Sequence, residues 1–303
     1  LADWQIQSFV SGPNMTNFYQ TTSGKNFYIK DGQKREIYDE QALSLASLSG
    51  AYNTLNESPL SSLAYGAPIL RNNVVVNDRQ NGDKYIVDQG QLTRVTGQAI
   101  AQTFLSQFTN RSIDAGSIGQ VTLRTGTIDG YIQDATSGDK FILTNGGKLK
   151  ITDATAWPDT FVSATSSLTG ALTTISTANP AYLIKSSSSA TVYYVENQKK
   201  RPLTAWSDVQ KINSNSTIIT LPNFIVDGLS DGSLVLNQGG LVKTATNGTV
   251  YFVDGLNTLI PLTNFGYATE AGIPLRVSIA PDATVSSYTK SGSTLGTLFQ
   301  CGG

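Results

Sequence analysis

The stretch from Leu241 to Gly255 reads "LVKTATNGTVYFVDG", and four further stretches of the chain follow the same plan. They begin at Phe18 ("FYQTTSGKNFYIKDG"), Val75 ("VVNDRQNGDKYIVDQG"), Tyr131 ("YIQDATSGDKFILTNG") and Leu183 ("LIKSSSSATVYYVENQ"). Ten positions after each start stands an aromatic residue: Tyr28, Tyr85, Phe141, Tyr193 and Tyr251, spaced by 57, 56, 52 and 58 residues. A near-constant period of this length is the signature of a repeat architecture.

Each copy contains the same elements. A short apolar pair opens it, a small polar turn follows, and then comes a β-rich run, "YIK", "YIV", "FIL", "YYV" or "YFV". That run is apolar at alternate positions on both sides, the pattern of a strand covered on both faces. The next residues, such as "DG" and "NG", are hairpin chemistry, because Gly and Asn accept positive φ. A third strand is expected to end at Ile37, Val95, Ile151, Leu203 and Leu262. After it, segments such as "TDATAW", "TAWSDV" and "TNFGYA" read as a short helical piece opened by a Thr or Asp N-cap. A fourth strand is predicted at "GAPIL" (from Gly66) and "GSLVL" (from Gly232).

Four antiparallel strands per unit, five times over, predict an all-β fold: a five-bladed β-propeller built from ~56-residue repeats, each with one helical turn. A doubly apolar strand cannot hide both faces alone, whereas neighbouring blades stacked face to face can cover it. A linear array with capping units is the alternative. The terminal segments "QIQSFVSG" and "GSTLGTLFQ", with Leu298-Phe299-Gln300 matching Leu241-Val242-Lys243, are candidates for closing the ring. No linker or charge block divides residues 1–303, which read as a single repeat domain.

Composition narrows the function. The chain has 303 residues, a charged fraction of 14%, a net charge of −1 and no basic block, so no nucleic-acid partner is expected. No apolar run reaches the ~18 residues of a membrane span, and the first residues lack the pattern of a secretory leader. Histidine is absent and Cys301 is the only cysteine. An internal disulfide, a Cys/His zinc site and any Ser-His-Asp or Cys-His mechanism are thereby excluded. No phosphate-binding glycine loop and no Asp-rich calcium loop occurs, and no cofactor is expected.

Two repeated positions are candidates for ligand contact. An acidic residue follows the second strand as Asp31, Asp88, Glu196 and Asp254, with Thr144 in the third copy. Its plainer role is a turn residue whose carboxylate accepts backbone N–H groups. Trp157, Trp206 and Phe265 stand just after the third strand. Such rings stack on the apolar faces of sugars, and equally well pack between blades. Trp157, Trp206, Asp88 and Asp254 are the residues singled out for binding. Paired carboxylates also keep glycoside hydrolysis as an enzyme alternative, although the acids here largely follow the repeat.

The pattern G-x-x-Y-(I/V/F)-V-D-x-G followed by (K/R)-x-(I/L)-T resembles repeats in secreted and surface-attached bacterial proteins. The five-unit layout is similar to that of five-bladed propeller lectins, a likeness that implies shallow sugar sites repeated around a ring. The expectation is an extracellular or cell-surface, non-enzymatic module of an adhesin or surface appendage. It would bind a glycan, a cell-surface polymer or other surface proteins without membrane insertion. A structural spacer or tip domain of a surface fibre or phage tail is the second reading, and a propeller-type glycosidase the third.

Overall fold

A computed structural model describes residues 15–158, 160–177, 182–212 and 217–296. The proposed ring-closing termini, Trp4, the "STANP" loop from residue 178 onward and Cys301 lie outside these residues. The chain divides into two compact units, Leu1–Lys148 with Phe161–Ile175, and Leu149–Thr160 with Ser176–Gly303, so the boundary runs within the third repeat.

Each of the five repeats forms one five-stranded sheet, and all five sheets share one strand order: fourth, first, second, third, fifth. First strands are Phe18–Thr21, Val75–Asp78, Tyr131–Asp134, Leu183–Ser186 and Leu241–Thr244. Second strands are Asn26–Lys30, Lys84–Asp88, Lys140–Thr144, Val192–Glu196 and Val250–Asp254. Third strands are Gln33–Glu36, Gln91–Val95, Gly147–Ile151, Lys199–Pro202 and Thr258–Leu262. These three make the antiparallel meander expected from the sequence. Two-residue turns join the second and third strands of the first, second and fourth repeats, with positive φ at both positions: Asp31 and Gly32, Gln89 and Gly90, Asn197 and Gln198.

The four-strand unit needs correction. Each repeat adds two outer strands, and both lie parallel to their neighbours. The fourth, Asn53–Leu55 in the first repeat, pairs with the first strand; the fifth, Ala64–Tyr65, pairs with the third. A parallel partner requires a crossover rather than a hairpin, and a short helix supplies each one. Glu40–Leu45 precedes the fourth strand of the first repeat and Glu57–Ser61 precedes the fifth, so each repeat carries two helical turns rather than one. Asp39, Thr96, Asp153 and Asn264 cap the first helical turns by accepting backbone N–H groups. The segments "GAPIL" and "GSLVL" run on just beyond the fifth strands and still follow the third strands: Ile69 forms an isolated parallel bridge with Ile37, and Val235 N reaches Pro202 O (3.0 Å).

Register corrects the repeat alignment as well. Val76 faces Tyr85, Ile132 faces Phe141, Ile184 faces Tyr193 and Val242 faces Tyr251, and the matching pair in the first repeat is Tyr19 with Phe27. Phe27, not Tyr28, is therefore the repeated aromatic. The first hairpin loop has four residues where the other four loops have five, which displaces everything after it by one.

Both faces of the second strand are closed in the second and third repeats and are more open in the fourth and fifth. The cover is visible between the first two repeats. Phe18, Tyr28, Ile37, Tyr38 and Leu43 of the first share one core with Val76, Tyr85, Val87, Leu92 and Ile113 of the second. One face of a sheet thus packs on the opposite face of the next. The buried Tyr38 hydroxyl stands 2.8 Å from the carbonyls of both Val75 and Thr109, fixing the spacing of the two repeats. Among the described residues no helix is long and apolar enough to cross a membrane.

Replacing Tyr38 by Phe is expected to lower stability by about 0.5–1.5 kcal/mol, the worth of one hydrogen bond. Tyr38→Ala is expected to cost about 3–5 kcal/mol through the lost ring. Urea unfolding midpoints of the two variants measure both.

Candidate functional site

The structure separates the four residues singled out from the sequence. Counted from the apolar residue at the end of the third strand or just after it (Ile151, Leu203, Leu262), Trp206 and Phe265 occupy the same place, three residues on, where their helices begin. Trp206 is 55% exposed and Phe265 46%. Trp157 stands six residues on, in line with the buried Leu43, Val209 and Ala268. It is fully buried and meets Tyr182 edge to face, with ring centroids 5.4 Å apart. The three rings therefore do not form one series: two face solvent and one fills the core.

The acidic positions divide in the same way. Asp88 is 1% exposed and receives Arg124 Nη1 at 2.8 Å and the backbone N–H of Thr165 at 2.9 Å, together with the Thr165 hydroxyl. It fastens the hairpin of the second repeat to the second helix of the third. Glu196, its counterpart, accepts from Arg201 Nη1, and Arg201 continues to the Tyr288 hydroxyl at 2.8 Å and the Leu256 carbonyl at 3.0 Å. A third ionic group, Glu36 with Arg79 (2.8 Å) and Asp114, joins the first repeat to the second. Asp254 is exposed. Asp31 leaves the series, since the one-residue shift aligns it with Gln89 and puts Lys30 at the acidic position.

A more regular polar position escaped the sequence reading. Thr21, Asp78, Asp134, Ser186 and Thr244 close the five first strands, and all are buried. Each side-chain oxygen accepts a backbone N–H from the following turn, for example Gln80 N to Asp78 at 2.8 Å and Asn247 N to Thr244 at 2.9 Å. Thr169, Ser137 and Ser166 hold the Asp134 carboxyl well below the usual carboxylate range. The signal was present, since "FYQT", "VVND", "YIQD", "LIKS" and "LVKT" each end in Thr, Asp or Ser.

The third strands carry a second unremarked series, of lysines, buried in the first and third repeats and half-buried in the fourth. Lys34, Lys148 and Lys200 direct their ammonium groups to carbonyls at the C-terminal ends of the second helices of their own repeats, where the helix dipole is negative. Burial pushes Lys34 and Lys148 below the ordinary lysine value.

In the first repeat this arrangement borders a cavity of about 210 Å3, lined by Lys25, Phe27, Lys34, Glu57, Tyr65 and Asp114 among others. The Lys34 ammonium lies 4.1 Å from the centroid of the Tyr65 ring and 2.8 Å from the Leu60 carbonyl. Lys25 spans Asp114 (3.3 Å) and Glu57 (3.6 Å) at the rim. Tyr65 is seated by Gly116: a Cβ there would stand 2.3 Å from Tyr65 Cδ2, so only glycine leaves the ring in place. Ser23 and Lys25 hold the Glu57 carboxyl below its ordinary value. Among the described residues no group of three or more acidic or cysteine side chains could hold a metal ion.

No protein-family model matches the chain, and no curated protein matches it. Among solved structures, a periplasmic assembly from the ESX-5 inner membrane complex aligns over 96% of this chain and 95% of its own, at 10% identity and a TM-score of 0.17. An intact ESX-5 inner membrane complex aligns over 97% of this chain and 82% of its own, at 9% identity and the same TM-score. At that score the likeness carries neither fold nor function.

Two outcomes follow. Asp88→Ala strands Arg124 and is expected to cost about 3–5 kcal/mol, whereas Asp254→Ala changes stability by no more than about 0.5 kcal/mol; denaturant titration compares them. Asp208 supplies a pH test. It is buried, its carboxylate oxygens lack hydrogen-bond partners among the described residues, and burial raises its pKa above the ordinary 3.8. The folded state therefore holds this proton more tightly than the unfolded chain, and stability falls as pH climbs from 3.8 through the raised value. Asp208→Ala, which installs the residue found at this place in the first and third repeats, should be about 1–3 kcal/mol more stable than the parent near neutrality. That advantage should vanish toward the acid end of a pH series of melting curves.

Proposed function

We propose that this chain is an extracellular, non-enzymatic recognition module whose five sheets are the blades of a propeller. In this reading it binds a carbohydrate polymer of a cell surface through shallow aromatic sites on its fourth and fifth repeats. The observation that carries the reading is the matched exposure of Trp206 and Phe265, two large rings at one repeat position, both turned to solvent. Isolated exposed apolar residues are ordinary, but a repeat-equivalent pair offers the same surface twice.

An aromatic face receives the C–H face of a pyranose, and the polar residues around it meet the hydroxyls. One such contact is weak. Two on one rigid body facing a polymer of repeating sugars make the second contact intramolecular, which raises avidity with no new interaction. In keeping with the non-enzymatic part of the proposal, two of the buried carboxylates, Glu36 and Asp88, are each paired to an arginine and committed to joining repeats.

Trp206→Ala and Phe265→Ala are each expected to weaken retention on insoluble cell-wall polymer about two- to tenfold. Their melting temperatures should stay at the parent value, and the double variant should be released almost completely. Silence of the parent protein on both a glycan array and the polymer would favour a structural role in a surface fibre. Release of free sugar from the polymer overturns the non-enzymatic reading.

A further inference from the structure

The cavity of the first repeat carries an inference independent of the aromatic sites. An ammonium group has three N–H donors, and the lysines of the third strands differ in how many are used. Lys148 reaches two carbonyls, Thr169 and Leu172. Lys200 has the Val226 carbonyl at 2.9 Å and the Asp231 carboxylate at 3.5 Å. Lys34 has one oxygen, Leu60 O, and the face of Tyr65. Its third donor has no oxygen, and the side chain is 5% exposed and forms part of the cavity wall.

The surrounding charges do not fill the gap. Asp114 and Glu57 are engaged by Lys25, and Asp114 also by Arg79. Among the described residues no carboxylate lies within ion-pair distance of Lys34. A buried cation short of one acceptor, beside an opening, is a position for an anionic oxygen. The two acids near the rim disfavour a doubly charged phosphate or sulfate ester, while Phe27 and Leu60 give the floor an apolar surface. At about 210 Å3 the space is below the ~300–1,000 Å3 of sites for drug-sized ligands.

We infer that this cavity binds a small monocarboxylate, its oxygen accepting from Lys34 and its body resting on Phe27 and Leu60. Two sources share this chemistry: a uronic acid residue of a polysaccharide and the terminal carboxylate of a peptide.

The test titrates the whole chain calorimetrically with glucuronate and with N-acetylalanine, against their neutral counterparts glucose and N-acetylalaninamide. At least one acid should bind saturably, about tenfold or more tighter than its counterpart. Glucuronate alone identifies the saccharide source, N-acetylalanine alone the peptide source, and binding of both the shared carboxylate. Lys34→Met should abolish the signal. Because that variant removes a helix-terminal contact, Glu57→Gln provides the second arm: it lies on the exposed rim and should tighten the acid severalfold by removing a like charge. The inference fails if neither acid binds, if the neutral counterparts bind equally well, or if Glu57→Gln leaves the affinity unchanged.

Discussion

A sheet that is apolar on both sides has to be covered twice, and this requirement is met most fully in the second and third repeats. Between the first two repeats the cover is direct: Phe18 and Tyr28 on one sheet meet Val76, Tyr85 and Val87 on the next. Apolar burial of this kind contributes about 1.5–3 kcal/mol for each large side chain, but it has no direction and does not fix how two sheets are aligned. Polar groups add the direction. Tyr38 grips two carbonyls of its neighbour, and the Asp88–Arg124–Thr165 and Glu36–Arg79–Asp114 groups join repeat to repeat at defined points. Buried ion pairs are weak evidence for stability; here their geometry serves to hold position.

The central meander was legible because two strong local signals coincide in it. Alternating apolar residues mark the second strand, and residues that tolerate positive φ mark the turn after it. The outer strands were not legible. Ala64–Tyr65 and Ser230–Asp231 are two residues long and polar or mixed in character. Such a segment has no periodicity to read, and its pairing is decided by the helix that carries the chain across the sheet. The predicted segments "GAPIL" and "GSLVL" were conspicuous because they are apolar, and they are apolar because they line the core beyond the short strands.

The sites show a subtler limit. Ungapped counting placed Tyr28 and Asp31 in series that belong to Phe27 and Lys30, because one hairpin loop is a residue shorter than the others. A single residue changes which face of a strand a side chain occupies, so this small error moved a residue from one surface to the other. Likewise Trp157 lies one helical turn beyond the place of Trp206, and that turn is the difference between core and solvent. The buried Thr, Asp or Ser that ends every first strand was readable, but attention to acids alone concealed it: three residue types perform one task, accepting a backbone N–H.

The brevity of the outer strands has a consequence for how these molecules behave in a crowd. The terminal ladder of a β-sheet offers unpaired N–H and C=O groups to any passing chain, and a long, flat border invites fibril growth. Here the fourth strands span three or four residues, and three of the five last strands span two. The longest of them, Leu123–Ile128, is broken by a bulge between Leu123 and Thr127. No border among the described residues is therefore both long and regular enough to template a foreign strand. A protein this rich in sheet can then be concentrated without its sheet borders zippering into amyloid.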